Sequence, residues 1–283
     1  LFSYVLTAAM VITAVTPAFA GKVKAVAAGL TLTEQSGWLE SAYVEWQPVK
    51  NAEGYVAYVK EASASDDAYE KLDDTLIRQY ADYWRADALG LKEGSYVMKV
   101  TAVLKDGKTV SESTSSLEVE KYDRSGFAFS ENSKFQTGSG AYNDDGTLKS
   151  NAIVVYVTEE NKNTVQLPGY TGDSYPAGIG NILNYKSEDA NGVTGGGKID
   201  IVKQLREEGI PLDIRFVGTI RGGDSNTSNN PPAENIKGLT GYNTTTNGGT
   251  KGDNGMMIRV YKSSNVTFEG IGTDATFDGW GVQ

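Results

Sequence analysis

From Met256 onward, short apolar runs follow one another too closely to be joined by helices. Met256–Val260, Val266–Phe268 and Ala275–Phe277 carry strand-forming side chains, and Gly or Asn punctuates each. A parallel crossover takes about a dozen residues, more than separates these runs. Three such strands after a strand-and-helix prelude predict a parallel β-helix, in which each coil buries apolar residues against the coils before and after it. The prelude is N-A-I-V-V-Y-V-T, Asn151–Thr158, then K-I-D-I-V-K-Q-L-R-E-E-G, then L-D-I-R-F-V-G-T-I. In the middle segment Ile199, Val202 and Leu205 recur at helical spacing, and Gly209 stops the helix before Pro211. Such a helix would cap the N-terminal end of the stack, where bare strand edges invite aggregation. An α/β layer fold is the alternative, because strand–helix–strand is also present.

The first half alternates instead. S-A-Y-V-E-W places Ala42, Val44 and Trp46 on one face, with Tyr43 and Glu45 on the other. Y-V-A-Y-V-K follows a turn at Asn51–Gly54, and G-S-Y-V-M-K-V-T-A-V-L leads into the hairpin signal Asp106-Gly107. Short strands with turns at this spacing predict a β-sandwich over residues 37–121, flanked by linkers at 21–36 and 122–150. The stacked coils then occupy 151–283, so the fold class is all-β.

Composition narrows the chemistry. There is no Cys and no His, which removes disulfides, thiolate metal sites and a Ser-His-Asp triad. Catalysis would fall to carboxylates, Lys, Arg, Tyr or an oxygen-bound cation such as Ca²⁺. Against 26 basic residues stand 36 acidic ones, a net charge of −10, which disfavours nucleic acid as a partner. Residues 1–20 are apolar and end in Ala18-Phe19-Ala20, as for a secretory signal peptide rather than a membrane anchor. The expectation is a secreted protein, extracellular or at the cell surface, off the membrane after cleavage, and monomeric. The chain starts without Met and stops within a strand pattern, so it reads as a fragment.

Several motifs are weighed and set aside. Gly192–Ile199 has the spacing of a phosphate loop but Ile199 where Ser or Thr should hold Mg²⁺. Tyr142–Leu148 resembles a calcium loop around Gly146, yet Ala141 and Ala152 fall at ligand places, so a plain turn is expected. Tyr80, Tyr83 and Trp84 could form a sugar-stacking platform, but core or edge packing is the simpler use of these aromatics. Glu207-Glu208 reads as a solvated helix end. Asn226, Asn243 and Asn265 begin glycosylation triplets, which matter only in a eukaryotic secretory host.

Two stretches carry resemblances. Trp46–Tyr58 and Leu91–Val103 resemble the core strands of a fibronectin type III domain, with Trp46 as the buried tryptophan and Tyr96 in the tyrosine-corner place. Gly138–Thr158, Gly178–Leu183, Gly197–Ile220, Lys251–Val260 and Ser264–Val282 resemble the N-terminal part of the pectate lyase family. That likeness implies a right-handed parallel β-helix. It also implies Ca²⁺-dependent β-elimination on polygalacturonate or pectin, with an Arg as base. In the family the calcium carboxylates and the basic Arg lie on later coils. No catalytic, cofactor-binding or metal residue is therefore assigned here. Asp274 and Asp278 are expected to form turns, Arg221 and Arg259 come too early to be the base, and Asp224 and Asp253 match no ligand position. The expected function is a fragment of a secreted lyase, itself inactive. A non-catalytic glycan-binding or adhesion protein with a β-helical stalk is the alternative, and a structural repeat protein without a ligand is a third reading.

Overall fold

The computed structural model describes residues 29–123, 140–183, 193–194, 198–222, 235–241, 255–258, 260 and 264–282. The expected signal peptide lies outside them.

Nine strands build two antiparallel sheets. They are β1 (Leu32–Trp38), β2 (Ser41–Trp46), β3 (Ala52–Glu61), β4 (Glu70–Lys71), β5 (Ile77–Gln79), β6 (Trp84–Leu89), β7 (Gly94–Leu104), β8 (Thr109–Ser113) and β9 (Leu117–Val119). One sheet runs β1-β2-β6-β5, the other β4-β3-β7-β8, with β9 also on β7. Inward residues of both fill one core: Val44, Trp46, Ala57, Ala86, Met98 and Val100 are all buried. Tyr55 meets the Trp46 ring edge-on at 5.2 Å and accepts a hydrogen bond from the Val49 amide at 2.7 Å. The first strand begins at Leu32, inside the stretch expected to be linker. Leu30 and Leu32 are drawn in because they pack on the sandwich core.

The second half contains β10 (Ile153–Val157), α1 (Ile179–Leu183), β11 (Val193–Thr194), β12 (Lys198–Ile199), α2 (Ile201–Glu208), β13 (Leu212–Arg221), β14 (Thr240–Gly241), β15 (Gly255–Ile258), β16 (Val266–Asp278) and β17 (Gly281–Val282). Strands β10, β13 and β16 pair in parallel and in register, so that Val155, Ile214 and Phe268 lie side by side. The inward set Val157, Leu212, Ile214 and Phe216 is buried with Ile201, Val202 and Leu205 of α2. Asp200 caps α2 through the Lys203 amide, and Gly209 closes it at φ +68°. Helix α2 starts two residues later than its periodicity suggests, because Ile199 pairs with Val193 in a small hairpin.

Strand β16 departs from expectation. Val266–Phe268 and Ala275–Phe277 belong to one strand rather than two joined by a turn. The register jumps from Val217↔Ile271 to Thr219↔Thr276, so Gly272–Ala275 bulge out against the single residue Gly218. Both Gly218 and Gly272 sit near φ +73°, where a side chain would be strained. Beyond the bulge, Phe277 and Trp280 close against Phe216, and the Trp280 indole donates to the Ile220 carbonyl at 2.7 Å.

The segment expected to link the halves is folded where it is described. Tyr142 and Leu148 bridge, and the Lys149 amide donates to the Ala141 carbonyl. This hairpin strap, residues 140–149, lies between the sandwich and the parallel sheet. A side chain on Gly146 would strike Glu40 and the Leu91 carbonyl, and one on Gly90 would meet Leu148 and the Tyr142 ring. Strand β16 also runs against β6.

Candidate functional site

Alternation along β13 sends Leu212, Ile214 and Phe216 inward and turns Asp213 and Arg215 to the opposite face. That second face is not solvated: Asp213 is 0% exposed and Arg215 7%. Tyr156 of β10 and Glu269 of β16 flank them in the ladder, and Tyr142 of the strap covers them. Arg215 Nε donates to Asp213 Oδ2 at 2.8 Å and to Glu269 Oε2 at 3.1 Å. Its Nη1 donates to the Tyr156 hydroxyl at 2.9 Å and its Nη2 to the Tyr142 hydroxyl at 3.1 Å. Tyr142 in turn donates to Glu269 Oε2 at 2.6 Å.

Two carboxyl groups thus converge on one guanidinium edge. Burial, reinforced by the neighbouring Glu269 carboxylate, pushes the Asp213 carboxyl up to about 7 against the pull of Arg215. Asp213 Oδ1 is buried without a hydrogen-bond partner, which disfavours the charged form further. Burial also drives the Tyr142 phenol well above its ordinary range, with Glu269 adding to it. Burial opposes the charge on Arg215, but Tyr142, Asp213, Tyr156 and Glu269 hold it protonated. A cation would meet the Arg215 charge here, so the cluster does not suit Ca²⁺. Among the described residues no group of three or more acidic side chains is placed to hold a metal ion.

A second polar cluster joins the bulge to the sandwich. Arg78 of β5 grips Asp274 with both nitrogens, Nη2 to Oδ2 at 2.6 Å, and also donates to the Ile271 carbonyl. The Tyr80 hydroxyl donates to Asp274 at 3.3 Å and accepts from the Thr273 amide. Asp274, expected as a turn former, is therefore the anchor of this contact. Tyr80 stacks on Tyr83 at 4.8 Å, and Trp84 packs on Tyr55. The aromatics weighed as a sugar platform are thus partly spent on core packing and on the contact with β16.

Other expected positions fall as follows. Tyr142–Leu148 makes a tight turn, with Gly146 at φ +89° and Asp145 accepting from the Thr147 amide. Asn265 sits at φ +59°, and its side chain accepts from the Gly140 amide. Arg221 and Asp278 form an exposed pair at 3.6 Å. Glu208 accepts from Tyr170 and Gln204 at the helix end. Asp224, Asp253, Arg259, Asn226, Asn243 and half of the Gly192–Ile199 motif lie outside the described residues. A recess of about 500 Å³ beside Tyr175 and Asn181 has its amides engaged: Gln166 pairs with Gly172, and Asn181 donates to the Ala177 carbonyl. Sequence reasoning passed over Asp213 and Arg215. The signal was present, because L-D-I-R-F puts two charges on the second face of an expected strand.

No protein-family model matches the chain, and no curated protein matches it. Among solved structures, a β-1,2-glucanase from Parabacteroides distasonis is similar at 18% identity and a TM-score of 0.26, over 38% of this chain and 14% of that one. Pectate lyase Pel3 from Pectobacterium carotovorum is similar at 13% identity and a TM-score of 0.22, over 68% of this chain and 48% of that one. CopC from Methylosinus trichosporium OB3b is similar at 14% identity and a TM-score of 0.24, over 34% of this chain and 97% of that one. At these TM-scores none of the three carries weight for fold or activity.

Proposed function

We propose that this chain is the N-terminal part of a secreted, Ca²⁺-dependent lyase that cleaves polygalacturonate by β-elimination. A fibronectin type III-like sandwich precedes the first coils of a right-handed parallel β-helix. The observation that supports this reading is the in-register parallel ladder β10-β13-β16, with Phe216 and Phe268 stacked at 5.8 Å between neighbouring strands. It occurs within the residues that resemble the family. The described residues do not fit a calcium cage, since Arg215 occupies the centre of the acidic cluster. On this reading the chain by itself is expected to show no turnover. The test is absorbance of unsaturated uronate when the purified chain meets polygalacturonate with and without added Ca²⁺. No signal above buffer is expected, and Ca²⁺-dependent turnover overturns the assignment of this chain as inactive.

A second reading draws on the sandwich surface. Trp38 is 66% exposed and Tyr122 47%, and the Glu120 amide bonds the Trp38 carbonyl, so the two segments are adjacent. Exposed aromatics suit stacking on sugar rings, as in a glycan-binding protein with a β-helical stalk. Retention on a pectate gel that Trp38→Ala abolishes would favour it.

A further inference from the structure

The strap Gly140–Lys149 is held over the parallel sheet by contacts to Asp213, Glu269, Arg215, Thr267 and Asn265. The Tyr142 hydroxyl lies 2.6 Å from Glu269 and 3.3 Å from Asp213. The Ala141 amide donates to Thr267 at 2.9 Å. Its other side rests on the sandwich at Gly90, Leu91 and Glu40. The strap therefore holds two bodies together and seals a titratable site. We propose that it is a proton-controlled clasp: protonation of the buried Asp213 keeps it shut, and loss of that proton lets it open.

With Asp213 protonated, the Glu269 carboxylate and the Arg215 guanidinium balance, so the cluster is neutral. With Asp213 ionised, the cluster holds a net −1 charge, and Asp213 itself is 0% exposed. The groups facing it are Tyr142 from the strap, Tyr156 from β10, Arg215 from β13 and Glu269 from β16. From the sandwich, Asp73 adds negative potential at Tyr156. Arg215 is the only cation among these, and it is already shared by both carboxyl groups. Asp213 Oδ1, buried and unpartnered, has nothing to stabilise a second negative charge. Lifting the strap admits water to Asp213 and removes the penalty. By linkage, whatever raises the affinity of Asp213 for a proton in the shut form must favour the shut form when the proton is bound.

The sign follows. The folded value of Asp213 lies above its solvated value, so the closed state is favoured fully at low pH and loses ground as pH rises through about 7. One proton is linked to opening between the solvated carboxyl value of ~4 and about 7, so the open-to-closed ratio rises about tenfold per pH unit across that window and levels off above it.

The experiment is hydrogen exchange of the peptide spanning residues 140–149 in the full chain, between about pH 4 and 8, corrected for intrinsic exchange. Protection should fall about tenfold per unit between about pH 4 and 7 and level off above it in the natural chain, and Asp213→Asn should flatten the profile. A flat natural profile, or the same slope in Asp213→Asn, overturns the proposal. Should that variant not fold, infrared spectroscopy of the natural chain decides. A protonated-carboxyl band present at pH 6 and gone by pH 9 supports the clasp, and no such band at pH 6 overturns it. Neither readout depends on lyase activity.

Discussion

Asp213 and Asp274 are both acidic, both on the ladder β13-β16, and opposite in behaviour. Burial works against the Asp274 carboxylate, but the hydrogen bonds from Arg78 outweigh it and hold the carboxyl below its usual range. A depressed folded value means stability that is full above the unfolded value near ~4 and lost as pH falls through the folded one. Asp213 has the reverse sign: its contribution is full below the unfolded value and fades as pH rises through about 7. Urea midpoints measured across pH should therefore peak between the two limits. Asp274→Asn should flatten the acid limb and Asp213→Asn the neutral one. Because Asp274 is 40% exposed, solvent screening limits the first effect, and Asp274→Ala should cost ~1 kcal/mol at neutral pH.

At the scale of elements, the legible parts of the sequence were those with strong local signals. Gly209 and Asp200 mark the ends of α2 by chemistry that acts within one turn. Trp46 and the alternating strands declare a sandwich. The bulge in β16 was not legible. Gly270, Gly272 and Asp274 read as an ordinary turn, and only pairing with β13 shows the run to be one strand. Gly272 has a positive φ, and a side chain there would strike the Tyr80 hydroxyl. Gly272→Ala should destabilise the protein by ~1–2 kcal/mol from backbone strain and lost docking. Gly169→Ala, at a positive φ but in open space, is the control that isolates the strain alone. Asp200→Ala should cost ~1 kcal/mol by uncapping α2, read as a lower urea midpoint. The same limit applied to Asp213 and Arg215. Alternation put them on one face, but what covers that face comes from residues about 70 positions away.

For the whole molecule, the sandwich is more than an appended module. Strand β6 meets β16, the strap fills the space between Gly90 and Glu269, and Arg78 reaches Asp274 across 196 residues of sequence. Charges that would be solvated on an isolated sheet become buried on a shared one. The central claim is that the two halves form one docked body through these contacts. The most direct test is a double-mutant cycle on Arg78→Ala and Asp274→Ala, read from urea unfolding at neutral pH. A coupling of ~1 kcal/mol is the expected result, whereas strictly additive effects would contradict the docked arrangement.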